Sequence, residues 1–194
     1  MKKFLIFVCI CLGLASSAFG QSDSFKGLSF TLNASLASPT TEYKAAGADI
    51  ASDTSTGSVL SLQSRYYYPV SDQYLLGFGL NKSLTRIRAG TLSGVDSTLK
   101  DRISIDISPA YAFTENMLFF GKLALISGTF SSSFDESTNT TGGVGYGLGL
   151  RYMVNKTVFL QTSFDTEQYN ELQSGATTQK VKASSASIGI GAKF

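Results

Sequence analysis

A set of ionisable side chains recurs at alternate positions along the chain: Arg65, Arg102, Asp106, Lys122, Arg151, Asp165 and Glu167. Two carboxylates kept in different protonation states can act as general acid and base, and Asp106, Asp165 and Glu167 supply the groups. The plainer reading makes them buried partners for Arg65, Arg102, Lys122 and Arg151, because charge taken out of water is costly unless paired. Other chemistry is scarcer still. The chain has no histidine, which removes every mechanism that needs an imidazole base and most zinc sites. Its two cysteines, Cys9 and Cys11, lie together near the N-terminus. The run Gly142, Gly143, Gly145, Gly147 and Gly149 resembles a phosphate-cradling loop only superficially. Its alternation with Val144, Tyr146, Leu148 and Leu150 reads as strand rather than as a loop entering a helix. No catalytic residue, cofactor site or metal-ligand set is therefore assigned, and the expectation is a protein that is not an enzyme.

The elements that position these side chains begin after an export signal. Met1-Lys2-Lys3 gives a positive start, Phe4 to Ala15 an unbroken apolar stretch, and Ala18-Phe19-Gly20 the small residues read at a cleavage site. The apolar stretch is too short to span a bilayer. The expected domains are a cleaved signal peptide, 1–20, and one domain, 21–194. Cleavage would remove both cysteines. It would also remove Lys2 and Lys3, which account for the whole surplus of 16 basic over 14 acidic residues. Net charge thus gives no case for nucleic-acid binding.

Beyond the signal, apolar residues recur with period 2. Leu28, Phe30, Leu32, Ala34 and Leu36 alternate with Gly27, Ser29, Thr31, Asn33 and Ser35. The same pattern returns around Leu60–Tyr68, Tyr74–Leu80, Ile103–Tyr111, Phe119–Leu125, Val144–Tyr152, Val158–Phe164 and Ile188–Phe194. Alternation at 180° per residue marks strands with one apolar face. Tight turns are expected at Pro69–Asp72, Thr114–Asn116 and Asn155–Lys156, where Pro, Asn, Asp and Thr cluster. Long polar loops are expected at 39–56, 86–98 and 131–141, and a shorter one at 170–178. Alternating long and short connections predict an all-β, eight-stranded, antiparallel up-and-down barrel.

Which face of the sheet lies inside is decided by charge. One face carries Arg65, Arg102, Asp106, Lys122, Arg151, Asp165, Glu167 and Lys193 among glycines and serines, while the other is almost free of charge. Tyr66, Tyr68, Tyr74, Tyr111, Phe113 and Tyr152 gather on the apolar face beside the short turns, as an interfacial aromatic belt would. A transmembrane β-barrel with a polar lumen fits this better than a soluble, lipocalin-like barrel with the apolar face inward. Pro109 has no N–H for a closed ladder, so a β-bulge is expected beside it near the short-turn rim.

A signal, eight alternating strands, short turns opposite long loops and the closing strand Ser187-Ile188-Gly189-Ile190-Gly191-Ala192-Lys193-Phe194 together resemble the small OmpA/OmpX-type outer-membrane barrels. The resemblance implies residence in a Gram-negative outer membrane, in contact with its lipid, with both chain ends in the periplasm. It makes Phe194 the end of an assembly signal read by the barrel-assembly machinery. The peptidoglycan-binding domain that larger relatives append is expected to be missing. The family hosts adhesins, enzymes and channels, so it does not fix function. Without histidine, the outer-membrane lipases, acyltransferases and omptin-like proteases are poor precedents. A structural or surface-interaction role, with a surface ligand taken by the loops, ranks first. A narrow channel for small or apolar solutes is the alternative, since glycines on the lumen face leave room in a barrel otherwise narrow enough for side chains to fill.

Overall fold

The computed structural model describes residues 22–45, 48–92, 95–132, 138–174 and 177–194. The expected signal peptide and residues 133–137 of the third long connection lie outside the described residues. A short 3-10 turn, Ser22–Ser24, precedes eleven strands. They are β1 (Gly27–Ala45), β2 (Ala48–Thr54), β3 (Gly57–Pro69), β4 (Tyr74–Ser83), β5 (Ile87–Leu92) and β6 (Val95–Ala112). After them come β7 (Met117–Ser132), β8 (Thr138–Met153), β9 (Val158–Tyr169), β10 (Leu172–Ser174) and β11 (Thr177–Lys193).

Eight of these strands form the wall, in the order β1-β3-β4-β6-β7-β8-β9-β11, all neighbours antiparallel. Pairing of β11 with β1, from Ser29↔Lys193 to Ala45↔Thr177, closes the sheet on itself. The other three strands each pair with one wall strand, β2 with β1, β5 with β6 and β10 with β11. They turn most of the expected long loops into projecting hairpins. Threonine and serine are frequent there, and the β-branched threonines suit a pleated sheet. No apolar face is required beyond the bilayer, so the alternation that marks the wall strands fades.

Away from the bulges, side chains alternate between inside and outside. In β1, Ser29, Thr31 and Asn33 are buried in the lumen while Leu28, Phe30 and Leu32 face outward and exposed. Phe78, Ile105, Leu125, Leu148, Phe164 and Ile190 continue that outward apolar surface around the wall. An outside this apolar needs a lipid solvent, because an exposed patch of a few hundred Å² is already large for a soluble protein. Tyr66, Tyr68, Tyr74 and Tyr152 are exposed at the short-turn end. There Tyr74 lies tilted against Tyr111 at 5.1 Å, and Tyr111 meets Phe113 edge-on at 5.1 Å.

The short turns are fixed by side-chain acceptors. Asn155 Oδ1 accepts from the Thr157 and Val158 N–H groups at 2.9 and 2.8 Å. Ser71 Oγ accepts from Tyr74 N–H at 3.2 Å, and Thr114 Oγ1 from Asn116 N–H at 3.2 Å. Each imitates a backbone turn bond.

Pro109 departs from expectation, since no bulge lies beside it. The β6–β7 register is the same at Ile107↔Leu123 and at Ala110↔Phe120, and Leu76↔Pro109 is in register across β4. Pro109 is exposed on the outer face, with Gly121 of β7 beside its ring. The register shift falls instead between Lys100 and Ile103, where Asp101 takes a left-handed φ of 50°.

Candidate functional site

The lumen is built in three layers. At the short-turn end Phe25, Tyr67, Leu75, Leu118, Phe120 and Phe159 form a buried apolar cluster. Phe25 is brought in by the N-terminal turn, in which Ser22 N–H bonds to Asp72 O at 2.8 Å and Phe25 N–H to Ser22 O at 3.0 Å. At the hairpin end a second cluster joins Val59, Ile87, Leu99, Ile126, Phe130 and Val181. The charged set lies between the two.

Arg65 and Asp106, both fully buried, pair at 2.8 Å, and Ser108 Oγ donates to the same carboxylate oxygen at 2.6 Å. Arg102 reaches Glu167 at 3.2 Å, and Tyr169 O–H donates to the same Oε2 at 3.0 Å. Lys122 reaches Asp165 at 2.5 Å, while Ser163 Oγ donates to the other Asp165 oxygen at 2.8 Å and meets Ser187 Oγ at 2.8 Å. All three carboxylates are therefore engaged by cations. That arrangement suits structural ion pairs rather than an acid–base pair, which needs one carboxylate held protonated.

Arg151, expected among these pairs, meets no carboxylate among the described residues. Its Nε and Nη2 donate to Gln161 Oε1 at 3.3 and 2.9 Å, and its Nη1 to Ser29 Oγ at 3.2 Å. Its guanidinium lies 3.9 Å from the Phe159 ring centre and 5.1 Å from that of Tyr67. Arg65 lies 5.8 Å from the same Tyr67 ring and 4.9 Å from Phe120. Phe120, Arg65, Tyr67, Arg151 and Phe159 thus form an alternating aromatic–cation column, with ring quadrupoles attracting each guanidinium. The three rings were missed from sequence. Tyr67 could have been found, since it shares the parity of Arg65 between two outward tyrosines.

Several lumen glycines stand against large side chains. A Cβ on Gly149 would strike the Phe120 ring, and one on Gly191 the Phe159 ring. These glycines make room for large neighbours. Among the described residues, the polar layer holds a cavity of about 20 Å³ near Gln63, Arg102 and Lys122, space for about one water. Among the described residues no group of His, Cys, Asp and Glu could hold a metal ion.

Phe194 lies apart from the lumen, exposed on the outer surface. Its ring stands edge-on to Phe30 at 6.1 Å, and its N–H bonds to Leu28 O at 2.8 Å.

Beyond the wall, the first two hairpins are joined. Thr41 Oγ1 donates to Ala89 O at 2.5 Å, Thr91 N–H donates to Asp53 Oδ2 at 2.7 Å, and Ser55 Oγ donates to Arg88 O. Gly90, at φ 149°, lies where a Cβ would press on Thr41.

The family model for the outer membrane protein beta-barrel domain matches residues 7–194. No curated protein matches the chain in sequence. Among solved structures, Neisserial surface protein A is similar at 20% identity, covering 87% of this chain and 100% of its own, with a TM-score of 0.50. Ail of Yersinia pestis is similar at 16% identity, covering 87% of this chain and 99% of its own, with a TM-score of 0.49. OprG from Pseudomonas aeruginosa is similar at 18% identity over 92% of this chain and 99% of its own, with a TM-score of 0.46. At such identities the likeness concerns the fold alone.

Proposed function

The chain belongs to the outer membrane protein β-barrel family and resides in the bacterial outer membrane, and on that premise we propose that it is a non-catalytic integral membrane protein acting through its projecting hairpins. One observation carries this reading: both ends of the lumen are filled by apolar clusters while the first two hairpins are tied to each other. A filled lumen supports a scaffold rather than a conduit, and tied hairpins give a surface of fixed shape on a rigid wall, where recognition usually lies. The hairpins then face the cell exterior, and both chain ends face the periplasm. Residues 1–20 act as a cleaved signal. The β11 strand ending in Phe194 serves as the segment read during barrel assembly.

Planar-bilayer recording on the pure protein tests the reading. No steady conductance is expected. A steady, ion-selective current that changes when Arg102 and Glu167 are neutralised together, but not when the first hairpin is shortened, would make the narrow channel the better account.

A further inference from the structure

On the outer surface, one lysine stands where lipid should be. Lys82 of β4 is exposed and faces outward, paired in register with Leu62 on one side and Ile103 on the other. Leu80 precedes it and Leu84 follows it at outward positions, and all four apolar neighbours are exposed. An ammonium group surrounded by lipid-facing leucine and isoleucine must extend along its stem to the headgroup level. The anions at that depth are lipid headgroups.

A second lysine is brought to the same place by the bulge. Along β6, Arg102 points into the lumen and Ile103 outward. Strict alternation would turn Lys100 inward and Leu99 outward. The register shift at Asp101 reverses the phase: Leu99 is buried in the hairpin-end cluster, and Lys100 turns to the outer face opposite Thr129. Bulges re-aim side chains in this way. Lys100 therefore lies just beyond Ile103, the cross-strand neighbour of Lys82. Asp101 is exposed beside it, which leaves the patch net positive. Neither lysine has an ion-pair partner among the described residues. Lys182, an outward lysine of β11, differs, since Glu42 neutralises it at 3.2 Å.

We infer that Lys82 and Lys100 together hold the phosphate of a membrane lipid in the leaflet on the hairpin side, with its acyl chains lying on Leu62, Leu80, Ile103 and Ile105. The inference rests on the hairpins facing outward only for the identity of the leaflet, and there the lipid is a phosphorylated glycolipid.

The test uses the full chain in phosphatidylcholine nanodiscs titrated with bis-phosphorylated lipid A, with its dephosphorylated form, and with inorganic phosphate. Retention is read by native mass spectrometry. The wild-type protein is expected to retain the phosphorylated lipid over the dephosphorylated one, and millimolar inorganic phosphate is expected not to displace it. Each basic side chain near an anionic surface contributes ~1 kcal/mol, about fivefold, so Lys82→Gln with Lys100→Gln should weaken retention about 25-fold. Lys82→Arg with Lys100→Arg should restore it, and Lys182→Gln should leave it unchanged. Heat-dependent gel mobility verifies that each variant is folded. Equal retention of both lipid forms, equal loss with Lys182→Gln, or unchanged retention by the double glutamine variant would overturn the site. Nanodiscs present both leaflets alike, so a reversed orientation would leave these results unchanged. It would appear instead as hairpins resistant to protease on intact cells.

Discussion

Arg65 and Arg151 share the ring of Tyr67, each with its guanidinium within 6 Å of the ring centre, yet among the described residues only Arg65 has a carboxylate partner. Their removal should therefore have different consequences. Arg65→Met leaves Asp106 buried and unpaired and is expected to cost about 3–5 kcal/mol of stability. Arg151→Met leaves no buried carboxylate behind; it forfeits bonds to Gln161 and Ser29 but relieves the desolvation of an unpaired cation, for a net change within about 1–2 kcal/mol. Urea unfolding in detergent micelles, both variants side by side, measures the difference. Equal losses would mean that the column, rather than the ion pair, dominates.

The second expectation concerns the bilayer. Leu148 and Ile105 face lipid in the middle of their strands. Leu148→Arg or Ile105→Arg should cost about 2–4 kcal/mol, and Val154→Arg beside the β8–β9 turn about 1 kcal/mol or less. Reversible unfolding from phospholipid vesicles gives both values. Equal costs at the two depths would contradict the outward face as a lipid surface.

The wall was legible in the sequence because lipid outside and packing inside force an alternation that single residues report. Leu28–Leu36 and Val144–Tyr152 show it without ambiguity. The hairpins were not legible, since strands such as Ala48–Thr54 pair through backbone bonds with no apolar face to mark them. The ends of the lumen were hidden for a related reason. Glycine and serine on the inner face suggest empty space, but Gly149 and Gly191 exist beside the rings of Phe120 and Phe159, which come from other strands. Pro109 predicted a bulge from one missing N–H. The bulge at Asp101 serves instead to place Leu99 inward, a tertiary demand that no local residue announces.

Closure of the short-turn end can be tested directly. Alanine at Tyr67, Phe120 and Phe159 together removes the rings that fill it. Single ring-to-alanine changes in a packed cluster cost about 3–5 kcal/mol, so the triple variant is expected to melt earlier. It should also show flickering conductance where the parent shows none. A silent triple variant that remains folded would place the barrier to ions in the hairpin-end cluster.

The assembly reading separates biogenesis from stability. Phe194→Ser keeps the backbone bond to Leu28 O and loses the edge contact with Phe30. Aromatic contacts of this kind contribute about 0.5–1.5 kcal/mol beyond their burial, so protein refolded in detergent should be little changed. The amount reaching the outer membrane of cells should fall, with degradation in the periplasm. Normal membrane levels would remove Phe194 from any recognition signal.

The last expectation addresses the hairpins. Asp53 accepts from Thr91 N–H, and this bond, with those from Thr41 and Ser55, ties the first hairpin to β5. Asp53→Ala with Thr41→Val cuts two of these ties without touching the ion pairs of the lumen. Each lost bond is worth about 1–3 kcal/mol where it leaves a buried group unmet. The loss should appear locally, as faster amide exchange at Thr91 and along Ile87–Leu92, while exchange in β4 and β9 stays slow. If fixed hairpin shape underlies the surface role, the same variant should alter binding to the cell exterior while the barrel still inserts and still shifts on heating. Unchanged surface behaviour with loosened hairpins would move that role to the wall.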